Sequence, residues 1–416
     1  MMKKHVYPIV LALAAVAVLY TFIGSTDSQG KPGRKEVVSS PVKSKYIAIP
    51  KPPVKDSMAL NSVEQFESHK IDSFFHVLSK NARFNGNALV AHNGKILYEG
   101  SFGVSDFKTK ELLSDSSEFQ LGSVSKQFTA VAVMMLKEQG KLDYDDTLQR
   151  FFPDFPYKGV TVGMLLAHRS GLPNYMYLCG NVCKDQVTPM DNQQVVEMLI
   201  KHHPPKYFPP NQKFEYSNTN YCVLAAIVEK VSGVSFAEYL RYKIFVPLGM
   251  NHTYMFDKND TIIPNRVTGY NANYRKAGYD FLDGVAGDKG IYSTTEDVLK
   301  WDQALYSDKL LKQSTLKDAF KAHSRWVNQH NYGYGWRLVI FDNDTLVYHD
   351  GWWHGFNAAF MRDIKGHNTI IVLSNHVNWC INQSRDLLTM LREESGDYTG
   401  VVASVKTRKK SKSIQP

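Results

Sequence analysis

Cysteine is scarce, with four residues in 416, and no cluster of His and Cys has the spacing of zinc ligands. The chain also lacks a glycine-rich phosphate loop, an internal repeat and the Gly-x-Ser-x-Gly elbow that presents a serine in one large class of hydrolases. These absences leave no sequence signature for a Cys/His zinc site, a nucleotide-phosphate cradle or that route to an exposed nucleophile. A basic body is missing too. The net charge of +9 resides in the ends, +6 in residues 1–56 and +5 in residues 404–416, which leaves residues 57–403 at −2. Nothing in that distribution points to a nucleic-acid groove.

What is present suits one large domain. Hydrophobic residues make up 43% of the chain, enough for a sizeable core. Lys3 and Lys4 precede an apolar run from Val6 to Ile23, so residues 1–26 read as an N-terminal membrane anchor or signal segment. Ile23-x-Ser25 is a fair cleavage site and Ala15-x-Ala17 falls inside the run, so the reading leans to an uncleaved helix and leaves cleavage open. Residues 27–60 form a flexible basic tether rich in Pro, Ser and Lys, residues 61–400 the globular domain, and residues 401–416 a disordered basic tail. Cys179 and Cys183 share a loop and could pair as a small disulfide in an oxidising compartment; Cys222 reads as a small apolar packing residue, and Cys380 carries no signal.

Three short strings carry the chemistry. Ser-x-x-Lys occurs five times, starting at Ser28, Ser40, Ser105, Ser123 and Ser314, and is a weak signal by itself. Only the copy at Ser123 lies between a strand-like run, Glu118–Leu121, and an apolar helical pattern ending near Gly140. A serine on the first turn of a helix sits at the positive end of its dipole, and a lysine three residues on returns to the same face. An ammonium beside a hydroxyl helps draw off its proton. Taken alone, Ser123 would read as an N-cap and Lys126 as a solvated lysine. The second string, Tyr216-Ser-Asn218, follows the Pro209-Pro210 break and precedes a helical pattern stopped by Gly233. A tyrosine beside a lysine ammonium can have its pKa lowered and act as a base, and Asn218 can bridge the lysine and a substrate amide. The third, His349-Asp-Gly351, ends a strand-like run, Asp344–Tyr348, and continues into Trp352 and Trp353, which make an aromatic wall.

In this order the strings resemble the serine beta-lactamase and penicillin-binding-protein superfamily, whose pattern is Ser-x-x-Lys, Tyr-x-Asn, then Lys-Thr-Gly or His-x-Gly. The resemblance runs from about Ser62 to about Arg392. It includes Val160–Pro173, with His168, Ser170 and Gly171 in register, and the glycine-rich stretch Gly287–Thr294. It implies a beta-lactamase/transpeptidase-like α/β (α+β) fold: a mostly antiparallel sheet flanked by helices, with a mainly helical insert from roughly 140 to 285. Ser123, Lys126 and Tyr216 would be catalytic. Asn218, His349, Gly351 and Trp352 would line the substrate, with the amides of Ser123 and Trp352 as the oxyanion hole. No metal or cofactor enters this reading. His349 stands where many relatives carry lysine, which marks the class C-like branch of esterases and D-amino-acid peptidases. The expected activity is therefore acyl transfer from an ester or small amide or peptide. A D,D-carboxypeptidase or beta-lactamase is one alternative, and a non-catalytic envelope binding protein another. The family also implies a location in the cell envelope outside the cytoplasm, anchored by the N-terminal helix or secreted to the periplasm. A membrane assembly with the hydrolase as one component stays open, as does the oligomeric state.

Overall fold

Asn61 opens the first helix. Its side chain accepts from the amides of Val63 and Glu64, and Glu64 returns a bond to the Asn61 N–H, a capping box. The computed structural model describes residues 59–257, 263–323, 330–341 and 344–394. The N-terminal apolar run, most of the tether and the basic tail lie outside them. Among the described residues no helix is long and apolar enough to cross a membrane.

After α1 (Ser62–Ala82) come β1 (Gly86–His92) and β2 (Lys95–Phe102), joined at Asn93 and Gly94. Both turn residues take positive φ, 49° and 76°, as the Asn-Gly pair predicts. A short β3 (Phe119–Gln120) leads through the turn Gly122–Val124 into α2 (Ser125–Glu138). The insert then carries α3 (Val162–Leu166), α4 (Tyr175–Val182), α5 (Asn192–His202), α6 (Asn218–Ser232), α7 (Phe236–Leu240) and α8 (Val246–Leu248). β4 (Tyr254–Met255), β5 (Ile291–Ser293), α9 (Thr295–Ala304) and α10 (Gln313–Ala319) follow. The chain returns through β6 (His330–Tyr332), β7 (Arg337–Phe341), β8 (Asp344–Trp353), β9 (Phe356–Asp363) and β10 (Asn368–Ser374), and α11 (Ser384–Glu394) closes it.

Seven strands form one antiparallel sheet in the order β2-β1-β10-β9-β8-β7-β6. Side chains alternate between its faces. Ala88, Val90, Ile370 and Val372 pack under α1 and α11 with Ile71, Phe75 and Leu387. Leu89, Ala91, Ile371 and Leu373 face the core shared with α2 and the insert. Both faces being covered, β1 and β10 read as continuous apolar runs. The α/β expectation holds, with two differences. A second sheet, β3-β5-β4, accompanies the helical insert. Its two- and three-residue strands are too short to show a period of two. And β8 does not stop at His349 but runs on to Trp353, so the third string lies within a strand and the turn falls at His354 and Gly355.

The thiols of Cys179, Cys183 and Cys222 are free. Cys183 Sγ lies 3.6 Å from Met190 Sδ, and Cys222 packs in the core as expected.

Candidate active site

Two glycines let the serine turn rest on β8. Gly122 takes φ of 52°, and a Cβ there would lie 2.7 Å from Trp352 N. A Cβ at Gly351 would lie 2.0 Å from the Leu121 carbonyl oxygen. Only residues without a side chain permit this approach. It brings Ser123, half-buried in the turn ahead of α2, alongside the backbone of Trp352. The helix behind the turn is anchored in the core by Phe128, stacked on Trp301 with ring centroids 4.1 Å apart.

Lys126 is fully buried, and its Nζ lies 2.9 Å from Ser123 Oγ and 2.8 Å from the Asp288 carbonyl oxygen. It also sits over the rings of Tyr216 and Tyr221, 5.0 and 5.7 Å from their centroids. Burial lowers its pKa to about 7; the Asp288 charge pulls the other way, while Lys289 and Arg337 push with the burial. A neutral amine has one lone pair. With a hydrogen donated to the Asp288 carbonyl, that lone pair is free to accept from the Ser123 hydroxyl.

Tyr216 stands at the loop-to-helix turn before α6, its hydroxyl buried beside Ser123 without a well-aligned hydrogen-bond partner. Here the expectation of a lowered pKa is corrected. Burial pushes the phenol well above its usual range, and the nearby Ser123 and Arg337 offset only part of this. Tyr216 is a neutral phenol, and Lys126 is the group poised near neutrality. His168 holds the turn in place. Its Nδ1 accepts from the Ser217 N–H at 3.2 Å and the Asn220 amide at 3.1 Å, its carbonyl accepts from the Glu215 N–H at 2.9 Å, and its ring lies 4.3 Å from that of Tyr216. Asn218 begins α6 with its Nδ2 3.8 Å from Met176 Sδ, and its Oδ1 is buried without a partner. Lys126 bonds Ser123 and the Asp288 carbonyl, so Asn218 does not bridge it.

His349 is brought to the same cluster, fully buried, with its ring 6.1 Å from that of Tyr216. Its Nδ1 lies 2.7 Å from the Asp350 carbonyl oxygen, which can only accept, so this nitrogen carries the hydrogen. Nε2 then accepts from the Tyr332 hydroxyl at 3.1 Å. Burial, with Arg337 and Lys126 nearby, holds the ring well below the usual histidine range. The third string thus supplies no cation. Arg337 on β7 does: its guanidinium lies 5.0 Å above the Tyr216 ring. Its Nε is buried without a hydrogen-bond partner, and among the described residues no carboxylate pairs with it.

The family model described as Beta-lactamase matches residues 71–389, more than half of the chain. The chain belongs to the beta-lactamase family. A penicillin-binding protein from Bacillus subtilis (strain 168) is 36% identical over 336 residues, 75% of this chain and 73% of that protein. Among solved structures, a penicillin binding protein from Bacillus halodurans superposes with a TM-score of 0.69 at 25% identity, covering 76% of this chain and 98% of that one. A D-amino acid amidase from Ochrobactrum anthropi SV3 shares the fold, with a TM-score of 0.68 at 23% identity over 79% of this chain and all of that one.

Within this beta-lactamase-family fold, the site includes residues that the three strings do not name. Arg337 and Tyr332 come from β7 and β6, and Asp288 and Lys289 from the glycine-rich stretch before β5. Arg337 follows Gly335-Trp336 with no spacing signal, and Lys289 reads as any lysine in a turn. His168 stood in a recognisable stretch, but its bond to Ser217 was invisible there. Trp353 is buried with Nε1 2.6 Å from Asp283 Oδ1, so Trp352, 56% exposed, is the aromatic residue left at the rim.

The turn after Trp353 is latched by charge. His354 Nε2 lies 3.3 Å from Asp280 and Nδ1 3.3 Å from Asp283. Burial opposes the imidazolium, but the two carboxylates outweigh it and push His354 up to about 9. A pKa raised above the ordinary 6.5 gives stability that is complete below that value and lost as pH rises through about 9. His354→Gln is therefore expected to melt several degrees below the parent at pH 6, with the gap closing above pH 9. Thermal melts at both ends of this range check it; a constant gap would show that the charge is immaterial.

Proposed function

We propose that this chain is a serine hydrolase working through an acyl-enzyme on Ser123. The single observation that carries the reading is a buried amine near half-titration at neutral pH, within hydrogen-bond distance of a half-buried serine hydroxyl. Ser123 Oγ attacks the substrate carbonyl carbon as its proton passes to Lys126 Nζ. The amides of Ser123 and Trp352 hold the developing oxyanion. The tetrahedral adduct collapses, and the leaving alcohol or amine takes the proton from Lys126 through the Tyr216 hydroxyl. Water then attacks the acyl carbon, returns a proton by the same route, and Ser123 leaves as a hydroxyl. Asn218, with an unused buried oxygen, would border the substrate, and Gly351, packed against the Leu121 carbonyl, would let the Trp352 amide approach the Ser123 turn.

The substrate class is an ester or a small amide or peptide of the D-amino-acid type. The neutral third string and the D-amino acid amidase among the fold's neighbours support it. A second reading, favoured by Arg337, is a peptide or beta-lactam with a free carboxylate: a half-buried guanidinium with no carboxylate paired to it among the described residues suits that anion, and penicillin-binding relatives agree. Those relatives also support a place in the cell envelope, outside the cytoplasm. The retained Ser123, Lys126 and Tyr216 weigh against a purely binding role.

The test is intact-mass detection of an acyl adduct on Ser123 after exposure to p-nitrophenyl esters, D-amino-acid amides, peptides ending in a D-residue carboxylate, and nitrocefin. Adducts at another serine, or none from any class, would overturn the reading. Arg337→Gln separates the two substrate classes. It should raise KM for the carboxylate-bearing peptide by about tenfold or more and leave KM for p-nitrophenyl esters near the parent value, both measured well above the Lys126 midpoint, because loss of Arg337 also moves that midpoint up. Equal losses on both would remove Arg337 from carboxylate recognition.

A further inference from the structure

A second lysine lies buried beside Lys126. Lys289 is 2% exposed, with Nζ 2.8 Å from the Tyr175 hydroxyl, 3.3 Å from the Val285 carbonyl oxygen and 3.4 Å from Asp288 Oδ1. Those three acceptors match the three hydrogens of an ammonium. The same Nζ lies 4.7 Å from the Trp353 ring. Asp288, 1% exposed, accepts the Tyr175 hydroxyl on Oδ2 at 3.0 Å and gives its main-chain carbonyl to Lys126. Its carboxylate is thus held by Tyr175 and Lys289 while its backbone holds the amine that faces Ser123.

Burying an ammonium with a carboxylate is costly, and the pair contributes little net stability compared with apolar packing. Its place within one peptide of the Lys126 contact points to a role beyond packing. Resting on the acyl-enzyme reading above, we propose that Asp288, Lys289 and Tyr175 form a positioning unit for Lys126. Asp288 fixes the amine through its carbonyl, and the opposed charges of Asp288 and Lys289 set which protonation form of Lys126 meets Ser123. The other groups facing that amine are Arg337 from β7, His349 from β8, His168, and Tyr216 and Tyr221 at α6. Among them, Arg337 is the one permanent cation, and it pushes in the same direction as Lys289. Asp288 is the counterweight. Removing either member of the pair must therefore move Lys126 in opposite directions, a result that packing alone does not produce.

The experiment follows the Lys126 side chain directly by carbon–proton NMR in protein carrying 13Cε-lysine, with its signal identified by loss in Lys126→Arg. In parallel, the rate of Ser123 labelling by a fluorophosphonate is measured against pH. Lys289→Gln, which removes the charge and keeps a polar contact to Tyr175, should raise the Lys126 midpoint by about one pH unit. Asp288→Asn should lower it by about one pH unit. The double variant should return close to the parent, and so should Lys289→Arg, which restores the charge. The labelling profile should move with each midpoint. If one single variant does not fold, the shift in the other carries the test, with the double variant and Lys289→Arg as its controls. Shifts of the same sign, no shift, or a displaced midpoint in the double variant or in Lys289→Arg would overturn the proposal. A parent protein whose Ser123 takes no label would instead defeat the acyl-enzyme reading, since the NMR titration stands without turnover.

Discussion

Ser123→Ala is expected to reduce turnover by about 10^4-fold or more and to abolish labelling by a fluorophosphonate. The loss is large because the neighbouring phenols cannot replace this hydroxyl. Tyr216 is a neutral phenol held high by burial, and Tyr332 is committed to His349. Substrate binding should survive, since the groups proposed to hold the carbonyl and the acyl chain are backbone amides, Asn218 and Arg337. Melting temperature should change little, because Ser123 is half-buried and its side chain contributes a single bond to Lys126. Rate, label and melt together separate chemistry from folding. A variant that keeps full turnover, or a label that moves to another serine with activity intact, would place the nucleophile elsewhere.

Lys126→Met has the second large effect, and it acts in two directions. Turnover should fall by about 10^3-fold, the range of a lost general base. Stability should rise. The ammonium is disfavoured by burial, which brings its pKa from 10.5 down to about 7. Between those values the unfolded chain binds a proton that the folded chain does not, so parent stability increases with pH across that interval. Below pH 7 the penalty is complete. The methionine variant, with similar length and no charge, should therefore melt highest relative to the parent below pH 7, and the advantage should shrink towards pH 10. This is the reverse of the trend at His354, whose stabilising charge is lost on raising the pH. A methionine variant that melts lower than the parent at every pH would show that the amine stabilises the fold. Parent activity should rise through a midpoint near pH 7, and that limb should be absent in the variant's residual rate.

Much of the candidate site was legible in the chain. Ser123 and Lys126 lie three residues apart, so a helical turn alone brings them together, and the Pro209-Pro210 break with the helical pattern after Asn218 placed Tyr216 at a turn. At the β1–β2 turn, Asn93 and Gly94 adopt the positive φ values that an Asn-Gly pair favours on local grounds alone. Asn218 was read in the right place and with the wrong neighbour, because Met176 arrives from α4, which the Tyr216 string does not mention. The small sheet β3-β5-β4 pairs Phe119 with Ser293 and Tyr254 with Tyr292 through strands of two or three residues, below the length at which alternation can be seen.

The chain by itself determined the chemistry on offer: a serine, an amine and a phenol in the order of the beta-lactamase family, set on helix starts by short-range spacing. Tertiary structure alone decided their state. It buried Lys126 until its proton became labile, raised Tyr216 out of reach as a base, closed His349 between Asp350 and Tyr332, and brought Arg337 over the phenol. Dielectric surroundings and charge proximity depend on segments distant in sequence, and no local pattern encodes them.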